Sequence, residues 1–233
     1  MGEKKRKEAS TKNWTKIFVG IFIAFICVML AVGMIFSGMG TGWISSFASV
    51  KTGDVVVIDY TLQDAQGNPL VTSDQTLYKQ IIAAGYDVLP AKQLTMTANR
   101  PLSTPVFPVQ VYTSQSGWGS QYGIFASEYN AINAGIVGMK ANEKKKISVA
   151  SGVPMTQYWT ADQLIARKLN LSDIQVGYVI PLGVSENSEA AAENSTAAYY
   201  IRLGEVTNKD ANGVTIDFAH PTVEVSIVSI NTR

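Results

Sequence analysis

The side chains that most often carry out catalysis are few and far apart in this sequence. It contains one cysteine, Cys27, and one histidine, His220, so an intrachain disulfide and a metal site made of several histidines are both excluded. There are no clustered Cys, His, Asp and Glu ligands, no phosphate-binding loop and no G-x-S-x-G nucleophile motif. We therefore expect no bound metal and no cofactor.

The first element that would position a site is a long apolar segment. Residues 17–36 read IFVGIFIAFICVMLAVGMIF and contain no charged side chain. A helix rises about 1.5 Å per residue, so this run would span about 30 Å, the thickness of a bilayer core. We predict a transmembrane helix over residues 17–37. The alternative is a cleaved signal peptide, with Ser46-Phe47-Ala48 as its cleavage site.

Charge on the two sides of this segment predicts its orientation. Basic residues precede it, whereas the next charged residue after it is Lys51. The positive-inside rule then places residues 1–16 in the cytoplasm and the globular region outside, behind a linker over residues 38–49. The net charge of +1 gives no indication of a nucleic-acid partner. The basic residues of the tail are Lys4, Lys5, Arg6, Lys7, Lys12 and Lys16.

Residues after 50 show strand patterns with a few short helical ones, which predicts an α+β fold. Val55–Leu62 is β-branched and partly alternating, and Glu128–Val137 has apolar residues at helical spacing. Thr160 and Gln163 have the spacing of a capping box, which predicts a helix start. Asn212-Gly213 suits a type I′ hairpin turn, in which both residues have positive φ. Residues 75–127 give no clear pattern.

Three segments, in this order, resemble the SlyD branch of the FKBP-type peptidyl-prolyl isomerases. Gly53-Asp54 followed by VVVIDYTL is similar to the opening strand of that family. Residues 133–146, NAGIVGMKANEKKK, are similar to its helix, turn and basic strand start. Residues 213–230, GVTIDFAHPTVEVSIVSI, resemble the His-Pro turn and last strand of SlyD proteins.

The resemblance implies a fold and a division of the chain. It implies an FKBP-like antiparallel sheet wrapped on a short helix, formed by residues 50–154 and 220–233, with residues 75–127 as an insertion. Residues 155–219 stand where SlyD-like proteins insert a β-rich second lobe that binds unfolded chains. The sequence departs from the family pattern in several places. The A-Y-G element after the basic strand and the histidine-rich tail are missing.

The resemblance also implies site residues. Tyr60 is the expected hydroxyl donor to a substrate carbonyl, and Leu70, Tyr129 and Ile132 are the expected cleft walls. The alternative for each of them is an ordinary core residue. Further substrate contacts are expected from the insertion, from the position where the family has an aspartate, and from the region of the missing A-Y-G element. These residues are Tyr122, Phe125, Val71 and Tyr158.

Prolyl isomerisation is consistent with the absence of a nucleophile or metal motif. The barrier of about 20 kcal/mol comes from amide resonance, and a protein can lower it by binding the twisted amide in an apolar cleft. The expected partners are proline-containing unfolded or nascent polypeptides, and the membrane through residues 17–37. Two alternatives stay open: a chaperone or assembly factor without catalysis, and a surface domain that binds a partner through residues 75–127.

Overall fold

The computed structural model describes residues 48–150, 155–185 and 199–231. The predicted cytoplasmic tail, the predicted transmembrane helix and nearly all of the predicted linker lie outside these ranges. Within the described ranges, no helix has both the length and the apolar character that crossing a bilayer requires.

The first sheet is built around β1 (Val55–Gln63). On one side β1 pairs along its length with β12 (Thr222–Asn231), which in turn pairs with β7 (Lys144–Ser148). On its other side β1 pairs first with β4 (Leu94–Thr97) and then with β2 (Pro69–Thr72). These pairings are antiparallel, and the short β3 (Leu89–Pro90) adds to β2 in the parallel sense.

Alternation along β1 decides which face of this sheet is buried. Val56, Ile58, Tyr60 and Leu62 are at most 1% exposed, while Val57 and Asp59 face outward. Side chains of successive strand residues point to opposite faces, so one face of β1 supplies apolar contacts to the core. The strand predicted over Val55–Leu62 is confirmed.

The second sheet takes strands from two parts of the chain. β8 (Thr156–Thr160), β9 (Val179–Ser185), β10 (Tyr199–Lys209) and β11 (Gly213–Asp217) lie between β7 and β12 in sequence. β5 (Val106–Thr113) and β6 (Gly117–Phe125) form a hairpin that joins the same sheet, because β6 pairs with β10 in the parallel sense at Tyr122 and Ile201. The strand order is β5-β6-β10-β11-β8, with β9 also on β10.

Three α-helices connect the strands in the described part of the chain: α1 (Gln75–Ala83), α2 (Ala126–Gly135) and α3 (Ala161–Ala166). Asp74 caps α1 by accepting from the backbone N–H groups of Thr76 and Leu77. Thr160 and Gln163 form the predicted capping box at the start of α3. The α+β prediction is therefore confirmed, with mixed rather than purely antiparallel sheets.

Helix α2 packs on the buried face of the first sheet. Ile132 and Ile136 are fully buried on it, and Gly135 lets β7 approach closely. A Cβ atom at Gly135 would lie 2.5 Å from the Cδ1 atom of Ile147, which is closer than packed atoms come. The helix lies two residues earlier than the predicted Glu128–Val137.

Two apolar cores result, and the β5–β6 hairpin contributes to both. Val109, Val111, Tyr122 and Ile124 belong to the core of the first sheet. Val106 and Phe125 belong to the core formed by β8 to β11 and α3. The hairpin therefore connects the two sheets by packing as well as by strand pairing.

The turn at Asn212-Gly213 differs from the prediction. Neither residue has a positive φ, so a type I′ turn is wrong. The Asp210 carboxylate instead accepts from the backbone N–H groups of Asn212 and Gly213, at 2.7 and 2.9 Å. Glycine is needed at 213 for close approach, because an added Cβ atom would lie 2.1 Å from the carbonyl oxygen of Trp159.

Candidate functional site

Most of the predicted site residues lie together, but beneath the surface. Tyr60 on β1, Val71 on β2, Tyr122 on β6, and Tyr129 and Ile132 on α2 belong to one apolar core and are at most 7% exposed. We call these five residues the sealed cluster. Their convergence agrees with their expected proximity, while their burial leaves no surface for a substrate to contact.

Leu70 is the one predicted site residue that belongs to this core and also lines an open cleft. Two other predicted residues lie elsewhere. Phe125 is 2% exposed in the core of the second sheet, and Tyr158 is exposed on β8, where its hydroxyl donates to Asp210 at 2.9 Å.

The Tyr60 hydroxyl is buried without a hydrogen-bond partner among the described residues. Burial raises the pKa of this phenol, and the nearby Tyr122 and Asp59 raise it further. Val71, at the position where the resemblance implies an aspartate, is fully buried and apolar. A buried hydroxyl that forms no hydrogen bond is a net cost to folding, so Tyr60 has a polar group that the fold does not use.

A second tyrosine of the sealed cluster is hydrogen-bonded. The Tyr122 hydroxyl contacts His220 Nε2, and the backbone N–H of Leu203 donates to the same hydroxyl at 3.4 Å. His220 Nδ1 lies 3.0 Å from the Ala219 carbonyl oxygen, which makes Nδ1 the protonated nitrogen and Nε2 the acceptor. Burial and the charge of Arg202 hold the pKa of His220 well below its usual range. His220 is therefore neutral at neutral pH.

Arg202 on β10 forms the main polar connection between the two sheets. Its guanidinium forms an ion pair with Glu128 on α2, with 2.8 Å between Nη1 and Oε2, and both side chains are at most 1% exposed. The remaining N–H groups donate to the carbonyl oxygens of Gly123 and Phe218 at 2.7 to 2.9 Å. All five N–H donors of the guanidinium are used, which is the condition for burying this charge.

An open cleft lies beside the sealed cluster. It has a volume of about 540 Å³ and continues into a neighbouring space of about 650 Å³, with which it shares Leu70, Asp87, Gly177 and Val179. One wall comes from β2, α1 and the segment leading to β3, and the other from the start of β9 and from β10. The apolar residues that line this open cleft are Pro69, Leu70, Ile81, Ala84, Tyr86, Val88, Leu89, Tyr178, Val179 and Leu203.

The second wall is held by backbone hydrogen bonds to β10. The Gly177 N–H donates to the Val206 carbonyl oxygen, and the Val206 N–H donates to the Tyr178 carbonyl oxygen, both at 2.8 Å. Gly177 has a φ of +90°, which glycine adopts without strain, so the chain can turn into β9 at this point. Tyr178 and Val179 then present their side chains to the cleft from a fixed backbone.

The rim of the open cleft exposes large apolar side chains. Among the lining residues, Tyr86 is 71% exposed, and Tyr178 and Val179 are each more than 40% exposed. Apolar groups gathered around a concavity are typical of ligand and polypeptide sites. The arrangement can therefore bind an apolar chain segment by removing it from water.

None of the residues of this second wall was among the predicted site residues. The wall lies where β9 begins, at Val179, with Gly177 and Tyr178 just before the strand. Apolar residues on both sides of a strand start, beside Gly177, are the signal that would have marked it. Among the described residues, no group of three or more Cys, His, Asp and Glu side chains has an arrangement that could hold a metal ion.

Comparison with known proteins leaves the family open. The chain matches no protein-family model, and it matches none of the curated proteins.

Proposed function

We propose that this protein binds extended, proline-containing segments of unfolded polypeptides in the open cleft and accelerates their cis–trans isomerisation. One observation carries the proposal: the cleft is apolar, large enough for a short segment of chain, and walled by both sheets around Leu70. Support also comes from the sequence resemblance to FKBP-type isomerases, and from a sheet that packs on one short helix with a further β-rich part between β7 and β12.

The cleft suits prolyl isomerisation for a physical reason. Rotation about the X–Pro bond is slow because amide resonance must be lost at the twisted transition state. The resonance form separates charge, so an apolar environment disfavours the planar amide more than the twisted one. Side chains such as Leu70, Leu89 and Leu203 offer such an environment, and no nucleophile is needed.

The proposed test uses the full chain in neutral detergent micelles and a short X–Pro peptide. We expect isomerisation faster than the uncatalysed rate, and a loss of most of the acceleration in Val179→Asp, which places a charge on the cleft wall. Ile165→Asp is the matched control, because Ile165 is a similarly exposed apolar residue on α3 that does not line the cleft. A folded wild-type chain that leaves the rate unchanged would remove the enzymatic claim.

A second candidate function is chaperoning without catalysis. The sealed Tyr60 hydroxyl and the apolar Val71 favour it, because the hydroxyl donor and the aspartate that the resemblance implies are not offered to a substrate. In that case the same cleft would bind unfolded chains and suppress their aggregation, with no effect on isomerisation rates. Aggregation of an unfolded client, measured with wild type, Val179→Asp and Ile165→Asp, separates this function from an inert cleft.

We propose that the folded region lies outside the cytoplasmic membrane, tethered by residues 17–37. The uncharged run and the six preceding basic residues support this topology. Protease added outside an intact cytoplasmic membrane should digest the folded region. Protection of that region in intact cells, with digestion only after lysis, would contradict the topology.

A further inference from the structure

The open cleft is apolar at its centre and has charge of one sign at its border. Among its lining residues, only Asp64 and Asp87 are charged, and no lysine, arginine or histidine lines either part of it. Asp87 is exposed at the mouth, in the segment between α1 and β3. The cleft therefore combines apolar contacts with a negative rim.

The Asp64 carboxylate is fixed in position by its own turn. It accepts from the backbone N–H groups of Gln66 and Asn68, at 2.9 and 2.7 Å, and from the Asn68 side-chain amide at 2.9 Å. Asp64 is 5% exposed, so solvent screens its charge less than it would screen a surface carboxylate. The carboxylate thus has a fixed position at the end of the cleft formed by β1 and β2.

The carboxyl group of Glu205 lies close enough to Asp64 and Asp217 to interact with both electrostatically. Glu205 on β10 is 8% exposed, and Asp217 lies on β11. Burial raises the pKa of Glu205, and the charges of Asp64 and Asp217 raise it further. The one arginine on this part of β10, Arg202, is fully buried and paired with Glu128, so its charge is compensated within the interior.

We propose that the open cleft selects polypeptide segments in which a basic residue lies next to apolar residues and proline. The apolar part of the segment would contact Leu70, Val179 and Leu203, while a lysine or arginine reaches the exposed Asp87 at the rim. This selectivity rests on the proposed function of the same cleft, and it names the class of client.

The effect of charge complementarity on the affinity of the cleft for a client can be calculated. A unit charge several ångströms from another at a protein surface changes affinity by roughly three- to tenfold at low salt, and the effect shrinks as the Debye length falls below 10 Å. Acidic clients would be disfavoured by a similar factor, because like charges repel. The apolar contacts would supply most of the affinity, and the carboxylates would supply the discrimination.

The test compares three fluorescent peptides of equal length around one Ala-Leu-Pro-Phe core. The core is flanked by two lysines, two glutamines or two glutamates, and binding to the full chain in neutral detergent micelles is followed by fluorescence anisotropy. We expect the lysine peptide to bind about tenfold more tightly than the glutamate peptide at 25 mM salt, with the ratio falling to about two at 300 mM salt.

Variants assign the effect to the cleft. Asp87→Asn should reduce the preference for the lysine peptide about threefold, and Asp87→Lys should abolish or invert it. Asp162→Asn removes an exposed carboxylate on α3, away from the cleft, and should change nothing. The basic N-terminal tail is the same in every variant, so differences between variants report the cleft alone.

Each outcome bears on a different claim. Equal binding of the three peptides, or a preference that Asp87→Lys leaves unchanged, overturns charge selection and leaves the proposed function standing. A lysine preference without accelerated isomerisation supports charge selection and removes the enzymatic claim. If no peptide binds at all, both proposals fail.

Discussion

The sealed cluster and the open cleft contain similar side chains but differ in what they leave for a ligand. Both are lined by aliphatic and aromatic residues, and Leu70 belongs to the core that contains the first and to the wall of the second. In the sealed cluster the space is filled by Tyr60, Ile132 and their neighbours, whereas the cleft is left open between two sheets. Binding chemistry therefore depends here on which apolar surface the fold leaves uncovered.

Buried hydrogen bonds where the two sheets meet keep the cleft open. We call this group of contacts the junction. The Arg202–Glu128 ion pair holds β10 against α2, and the bond from the Leu203 N–H to the Tyr122 hydroxyl holds β10 against β6. Leu203 follows Arg202 directly and faces the cleft, so the wall of the cleft is attached to a residue whose five guanidinium N–H groups are all hydrogen-bonded. These buried contacts therefore fix the position of the cleft wall.

The largest expected effect comes from breaking the buried ion pair. In Arg202→Met the Glu128 carboxylate would remain buried without its cation, and we expect a loss of about 3–5 kcal/mol in the free energy of unfolding. Chemical denaturation followed by tryptophan fluorescence measures it. The double variant Arg202→Met/Glu128→Leu removes both charges and should recover most of the loss. A single variant as stable as wild type would show that the junction does not hold the sheets together.

The next largest effect distinguishes the sealed cluster from the open cleft by substitutions to alanine. Ile132 is fully buried in the sealed cluster, and Ile132→Ala should cost about 2–5 kcal/mol because it leaves a cavity. Val179 is 43% exposed on the cleft wall, and Val179→Ala should change stability by less than about 0.5 kcal/mol while weakening peptide binding. Denaturation and peptide anisotropy on both variants check the contrast. If Val179→Ala binds peptides like wild type, the cleft is not the binding surface.

The buried His220 is expected to make the stability of the folded chain sensitive to acid. His220 has a lowered pKa in the folded chain, so protonation favours the unfolded state once the pH falls below about 6.5, the unfolded value. The stability contributed by the neutral imidazole is complete above that pH and is lost as the pH falls toward the folded pKa, by up to about 1.4 kcal/mol per pH unit. His220 is the only histidine. The free energy of unfolding should therefore depend less steeply on pH between 7 and 5 in His220→Gln than in wild type. An unchanged slope would contradict this assignment.

The elements set by local pattern could be predicted from the sequence. Alternation fixed the buried face of β1, helical spacing placed Tyr129, Ile132 and Ile136 on one side of α2, and the capping box marked the start of α3. In these cases the signal lies within about ten neighbouring residues, and tertiary packing agrees with it.

Features that depend on distant segments could not be predicted. The β5–β6 hairpin joins the second sheet through one parallel pairing to β10, some 80 residues later, and no local pattern encodes that partner. The same holds for the cleft, since Leu70 meets Val179 only after the sheets are assembled. Six of the eight predicted site residues lie in one core, whereas Phe125 and Tyr158 do not, and the exposure of none of them could be predicted.

The smallest expected effect comes from a change at Tyr60. It tests whether this residue stays buried in the sealed cluster while the protein acts on a substrate. Its hydroxyl has no hydrogen-bond partner among the described residues, so Tyr60→Phe should leave stability unchanged or raise it by about 1 kcal/mol. Isomerase activity and peptide binding should also be unchanged, because no substrate reaches the ring. Tyr122→Phe is the matched control: it removes a hydroxyl that contacts His220, and it should cost about 1–3 kcal/mol. A tenfold loss of kcat/KM in Tyr60→Phe at unchanged stability would mean that the sealed cluster opens during turnover and that its phenol acts on the substrate.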